Sequence, residues 1–195
     1  MNGNEKRKKP LYRLSYLLNF LLIAALALLI RQNILLRKAL VSRMPPMPSV
    51  TALKPGEHVK PFKVRALDGT EDVIHYSDTA KNYVLCVFST SCSHCEKTIP
   101  LWQMIENNRS NNWEVIGISL QGEEETKIFV RDNKISFRTV TTAYNSGFEH
   151  EYKIPKVPVT ILIRGGGIVE KTWIGELTTQ QTNEIQNLLN SSHAR

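Results

Sequence analysis

The sequence predicts an α/β domain, a mixed central sheet with helices on both faces, carried behind an N-terminal membrane helix. Three observations predict it. From residue 55 onward, short apolar runs alternate with stretches of helical spacing. Two cysteines separated by two residues, Cys92 and Cys95, stand between one such run and one such stretch. Ahead of them all, the 17 residues 14–30 carry no charge and follow a basic cluster.

The 195 residues leave room for one domain and an appendage. The net charge of +7 is unevenly placed: residues 1–45 carry +8 and residues 46–195 carry −1. Basicity confined to the N-terminal segment is a membrane address, and it argues against a nucleic-acid surface. Residues 14–30 span roughly 25 Å as a helix against a hydrocarbon core of about 30 Å, and Arg13 and Arg31 can snorkel to make up the difference. Ala25-Leu26-Ala27 has the small-x-small form of a signal-cleavage site, but Leu28, Leu29 and Ile30 still follow it, so an uncleaved anchor is expected. Five Lys/Arg precede the span; Arg31, Arg37, Lys38 and Arg43 follow it more sparsely. The positive-inside rule then puts the N-terminus in the cytoplasm and the remainder outside. A disulfide-capable pair suits that oxidising side, which in bacteria is the periplasmic face of the cytoplasmic (inner) membrane. The expected organisation is a cytoplasmic basic segment (1–13), a single-pass transmembrane anchor (14–30), a juxtamembrane helix and Pro-rich linker (31–54), and a domain over 55–195.

Met44-Pro-Pro-Met-Pro-Ser49 ends the juxtamembrane helix, because proline cannot continue it. Residues 61–67 alternate as a strand, Asp68-Gly69 is a tight-turn signal, and residues 71–76 return as the second strand of a hairpin. The run 83–88 is continuously apolar, as expected of a strand buried on both faces. Helical spacing follows from Cys95 to about residue 107, with Ile99, Trp102, Met104 and Ile105 apolar and Pro100 interrupting the backbone bonding. Residues 113–120 form the next strand. Glu123, Glu124 and Glu125 load the first turn of a helix that runs to about Asn133 and is expected to bury Ile128 and Phe129. A short strand over 136–141 and a short helix over 143–152 come next. Residues 159–163 and 168–173 form a hairpin about Gly165-Gly166-Gly167, and a final helix runs from about Thr179 to Asn190, with Thr178 and Gln181 as its capping box. Phe88, Trp102, Trp113 and Trp173 are expected core or site-rim aromatics, and His150, between two glutamates, a surface residue.

A strand, then Cys-x-x-Cys, then a helix is the order a dithiol redox site needs, since the helix N-terminus favours a thiolate. Cys92 is the expected attacking thiol and Cys95, one turn deeper, the resolving thiol. Half of a zinc site is the competing reading; it needs two more ligands from Cys86, His94 and scattered histidines. Cys86, in the central strand, is an expected buried and unreactive thiol. His94 can act on Cys92 through charge or N–H donation, or face solvent with little influence.

In this order of features the chain resembles the thioredoxin superfamily, and more closely the membrane-anchored TlpA/ResA-like thiol–disulfide oxidoreductases, over roughly residues 55–190. Pro55-Gly56, Pro61-Phe62 and Leu67-Asp68-Gly69 resemble that group's opening; Cys92-Ser93-His94-Cys95 with Pro100 its active-site helix; Val115–Ser119 its next strand; Tyr152-Lys153-Ile154, Val157-Pro158 and Thr160–Ile163 the segment around its cis-proline. The resemblance implies a thioredoxin-like fold, a cis Pro158 against the cysteines, and no cofactor beyond the redox-active pair Cys92–Cys95. It implies a disulfide-bearing partner protein, such as apocytochrome c during cytochrome c maturation or a copper-site protein. It also implies a membrane thiol transporter as electron donor.

Three features depart from that pattern. Ser91 stands where a tryptophan is usual, Cys86 where a buried acid or an asparagine is usual, and Ser-His lies between the cysteines, where a histidine before the second is reminiscent of oxidising DsbA-like proteins. Both directions stay open: a reductant, or a disulfide-forming oxidant, which a reduction potential well below roughly −250 mV or near roughly −120 mV would separate. A peroxidase is disfavoured, because Ser89 and Leu85 occupy the positions of that motif's threonine and proline. A copper-binding module of the same fold is a further alternative, although its relatives separate their cysteines by three residues.

Overall fold

The computed structural model describes residues 8–43, 52–143 and 147–191. The chain divides into two units, Met1–Pro48 and Ser49–Arg195. In the first, a largely apolar sequence flanked by basic residues forms a single helix, α1 (Lys8–Arg43), of 36 residues. Its segment Ser15–Leu35 is 21 residues long and apolar enough to cross a membrane, with none of it buried. The helix continues through Arg31 and the polar Gln32 and Asn33 without a break, so the apolar stretch reaches four residues beyond Arg31. The basic residues before Lys8 and the proline-rich linker at 44–49 lie outside the described residues.

The second unit is built on seven strands: β1 (Phe62–Ala66), β2 (Glu71–Ile74), β3 (Asn82–Phe88), β4 (Trp113–Ser119), β5 (Arg138–Thr141), β6 (Val159–Arg164) and β7 (Ile168–Ile174). Four helices accompany them: α2 (Ser93–Asn108), α3 (Glu123–Asp132), the single-turn α4 (Phe148–Glu151) and α5 (Thr179–Ser191). The sheet order is β2-β1-β5-β4-β3-β6-β7. Strands β3, β4 and β5 are parallel, while β6, β7, β1 and β2 pair antiparallel. This is the mixed sheet of a thioredoxin-like fold.

Strand β3 is central and every residue in it is buried. Its period of two sends Leu85 and Val87 to one face and Val84, Cys86 and Phe88 to the other. The second face packs against Ile99, Trp102 and Ile105 of α2, Phe129 of α3, and Ile185 and Leu189 of α5. The first face is covered by Phe148 of α4 with Leu53, Val59, Tyr76 and Tyr152. Helices thus lie on both faces, three against one. Trp102 is fully buried and its indole N–H donates to Thr160 Oγ1 at 2.9 Å. Removing that much apolar surface from water favours folding by roughly 4–6 kcal/mol before entropy is counted. Phe88 stacks on Phe129, with centroids 5.2 Å apart. Trp113 and Trp173 are buried as well, and His150 is exposed.

Three expectations are corrected. Ile128 is 51% exposed, because α3 buries the stripe of Thr126 and Phe129 and Ile128 falls outside it. The fifth strand starts at Arg138 rather than residue 136, since the ladder with β4 begins there. The helix expected over 143–152 is reduced to Phe148–Glu151 among the described residues, 144–146 lying outside them.

Candidate active site

The site grows from the C-terminal end of β3. After Phe88 the chain leaves the sheet, and Ser89-Thr90-Ser91 leads to α2, which begins at Ser93 rather than at Cys95. Cys92 is therefore the N-cap residue, with φ −103° and ψ 106°. Its carbonyl accepts from the Cys95 N–H at 3.0 Å and the Glu96 N–H at 3.3 Å, closing the first turn. Its own N–H donates to the Ser89 carbonyl at 3.2 Å, and the Thr90 N–H to Gln121 Oε1 at 2.9 Å. Gln121 is itself fixed by Ser119 Oγ, which accepts from its N–H at 3.2 Å, and by the Thr141 hydroxyl, which donates to its carbonyl. The connection from β4 to α3 thus supports the loop that carries the cysteines. Sequence reasoning missed Gln121, and its spacing from Cys92 offers no signal.

Cys92 and Cys95 are brought together, both as free thiols. Their surroundings differ. Cys92 is half-buried, whereas Cys95 has no exposed surface. Burial pushes the Cys95 thiol up to about 12, and the neighbouring Cys92 acts in the same direction. Cys86 shares the core cluster of Cys95, and burial raises its thiol well above the ordinary range, with Glu106 adding to the effect.

The Val157–Pro158 peptide bond is cis, at the position expected from the sequence. The Cys92 thiol donates to the Val157 carbonyl at 3.8 Å, so this segment, 65 residues away in sequence, borders the dithiol. Pro158 is buried and Val157 half-buried. His94, on the first turn of α2, is exposed, and its Nδ1 lies 3.0 Å from Oε2 of Glu176. Sequence reasoning did not find Glu176 either.

The arrangement supplies one accessible sulfur at a helix N-terminus, one sealed sulfur behind it, and a backbone carbonyl beside the first. That is the equipment for attack on a disulfide followed by intramolecular resolution. Among the described residues, no group of three or more His, Cys, Asp or Glu is placed to hold a metal ion. A cavity of about 280 Å³ between β1, β2 and the end of β5 is lined by residues such as Arg65, Glu71 and Thr142 and touches neither cysteine.

Known proteins share this plan. The sequence profile of the AhpC/TSA family matches residues 55–172. Sporulation thiol-disulfide oxidoreductase A of Bacillus subtilis (strain 168) is 24% identical over 128 residues, covering 63% of this chain and 76% of that protein. The crystal structure of StoA from Bacillus subtilis superposes with a TM-score of 0.53 at 24% identity, over 64% of this chain and 95% of that one. That of a putative thiol:disulfide interchange protein DsbE from Chlorobium tepidum reaches 0.62 at 15% identity, over 72% and 99%.

Proposed function

Because the chain belongs to the AhpC/TSA family and has its dithiol at the head of α2, we propose that it works as a membrane-anchored, extracytoplasmic protein-disulfide reductase. At the coarser level it is a thiol–disulfide oxidoreductase of the thioredoxin fold, in the TlpA/ResA-like class. The observation that carries the reading is the asymmetry of the pair: Cys92 is accessible at the helix N-terminus while Cys95 is sealed and protonated behind it.

In this reading Cys92, as thiolate, attacks one sulfur of a partner's disulfide. A mixed disulfide forms and the partner's other sulfur leaves as a thiol. Cys95 then loses its proton and attacks Cys92 Sγ, closing the Cys92–Cys95 disulfide and releasing the partner's second thiol. Two electrons have passed to the partner. A membrane thiol transporter on the same side of the bilayer would return them. The Val157 carbonyl, beside Cys92, is placed to pair with the backbone of an extended substrate segment, as in strand addition. Pro158 holds that carbonyl's position, and His94 works on the Cys92 side of the exchange. An apocytochrome c or a copper-site protein fits as substrate, because each exposes a cysteine pair that must be reduced before its haem or metal can be received.

The test is trapping. In the chain with Cys95→Ser, Cys92 is expected to accumulate a mixed disulfide with its partner protein on the outer face of the membrane, identifiable by mass spectrometry. Adducts at Cys95 in a Cys92→Ser chain, and none in the reverse variant, would reverse the assignment. A second reading, a net oxidant, is favoured by the histidine between the cysteines and its fixed position against Glu176. A reduction potential near roughly −120 mV selects it, and one well below roughly −250 mV selects the reductase.

A further inference from the structure

The connection between β7 and α5 is tied to both sides of the dithiol by adjacent residues. Gly175, at φ +92°, turns the chain out of β7, and its N–H donates to the Pro158 carbonyl at 2.7 Å. The next residue, Glu176, reaches His94 Nδ1 at 3.0 Å. Pro158 follows Val157, whose carbonyl takes the Cys92 thiol. A two-residue stretch of this connection therefore joins the proline segment to the histidine between the cysteines, across 82 residues of sequence between Glu176 and His94.

The pair defines the ring chemistry. A carboxylate accepts, so the proton of a neutral imidazole bonded through Nδ1 resides on Nδ1, and Nε2 keeps its lone pair. Among the described residues, no carboxylate is hydrogen-bonded to either cysteine. Cys86, in the core cluster of Cys95, is a buried thiol held neutral, and Glu106, the carboxylate that acts on it, is engaged by Arg109 at 2.7 Å. Glu96, which acts on Cys95, is exposed on the outer side of α2.

Building on the thiol–disulfide reading above, we propose that Glu176 is a positioning residue of the dithiol site, holding His94 through Nδ1 so that Nε2 accepts and returns the proton during exchange. Cys92 first gives its thiol proton to Nε2, and the thiolate so formed attacks one sulfur of the partner's disulfide. The other sulfur leaves with the electron pair and takes the proton back from Nε2. One S–S bond breaks and one forms, so no outside oxidant or reductant is required. Exposed ion pairs usually add little to stability, so Glu176 is expected to matter for rate and not for folding.

The experiment measures Cys92-dependent exchange of the reduced full-length chain, in detergent, with glutathione disulfide as probe. Glu176→Ala and His94→Ala should each slow it by about 100-fold, the low end for positioned proton transfer. The double variant should be no slower than His94→Ala, and Glu176→Gln, which keeps an acceptor oxygen, should recover most of the rate. Nitrogen NMR of His94 should show the neutral ring protonated on Nδ1, with the tautomers redistributed in Glu176→Ala. A wild-type rate in Glu176→Ala, effects that multiply in the double variant, or a proton resident on Nε2 would each overturn the proposal while leaving the exchange reading intact. A wild-type chain that exchanges no faster than Cys92→Ser would overturn both.

Discussion

Cys92 sits half-buried at the N-cap of α2, Cys95 is sealed one turn below it, and Cys86 is enclosed in β3 between Gly117 of β4 and Thr160 of β6. These surroundings predict an order of reaction. In the folded, reduced protein at pH 7.5, iodoacetamide should label Cys92 alone within the time that labels all three thiols in denaturant, as read by peptide mass spectrometry. Fast labelling of Cys86 in the folded chain would contradict its burial. The pH dependence has a definite sign. Unfolded thiols ionise from about pH 8.5, whereas folded Cys95 keeps its proton up to about 12. The fold's advantage from burying neutral thiols is therefore whole below pH of about 8.5 and declines as pH rises from there towards about 12. Urea midpoints of the reduced protein should fall over that window, and less so for the oxidised protein, in which Cys95 no longer titrates.

At the scale of elements, the turn between β6 and β7 shows how three adjacent glycines differ. A Cβ on Gly165 would stand 2.2 Å from the Thr79 carbonyl oxygen, and one on Gly167, at φ +81°, 2.7 Å from that of Val59. Gly166, at φ +78°, faces open space. Gly165→Ala and Gly167→Ala should thus cost about 1–3 kcal/mol through forced backbone movement, and Gly166→Ala about 1 kcal/mol from its dihedral alone. Urea unfolding of the three variants checks the ranking, and equal losses would refute it. The same region shows what was legible beforehand. The three glycines between apolar runs announced the hairpin, and the continuous run at 83–88 announced a strand buried on both faces, because periodicity and turn chemistry are local. The dithiol was legible through its place between a strand and a helix, and its cis-proline neighbour through the family resemblance. Gln121 and Glu176 were not, since each reaches the site from a loop far off in sequence and neither residue type is unusual there. Ile128 was misjudged because one apolar residue on a short helix does not fix which stripe faces the sheet; the hydroxyl of Thr126, donating to Ser119 Oγ at 2.7 Å, does.

At the scale of the whole chain, the first unit and the second have opposite relations to water. Thirteen large apolar side chains between Tyr16 and Leu35 are exposed along α1, while the second unit carries its apolar residues mainly in two clusters on either side of a sheet. At about 1.5–3 kcal/mol for each side chain removed from water, covering that helix is worth tens of kcal/mol. The 21 residues of Ser15–Leu35 rise through about 31 Å, the thickness of a hydrocarbon core, so the continuous helix removes the length deficit that residues 14–30 alone would have. The charge is divided in the same way, +8 before residue 46 and −1 after it. If the basic residues held the protein by attraction to anionic lipid, high salt would release it, because such attraction is screened within a Debye length. If α1 spans the bilayer, neither 1 M salt nor alkaline carbonate should extract the full-length chain, whereas a chain lacking residues 1–48 should be recovered in the soluble fraction. In intact spheroplasts, protease added outside should then digest the dithiol domain of the full-length protein. Release by salt would replace the spanning anchor with a surface-bound helix, and protection from outside protease would reverse the orientation and place Cys92 and Cys95 in the reducing cytoplasm.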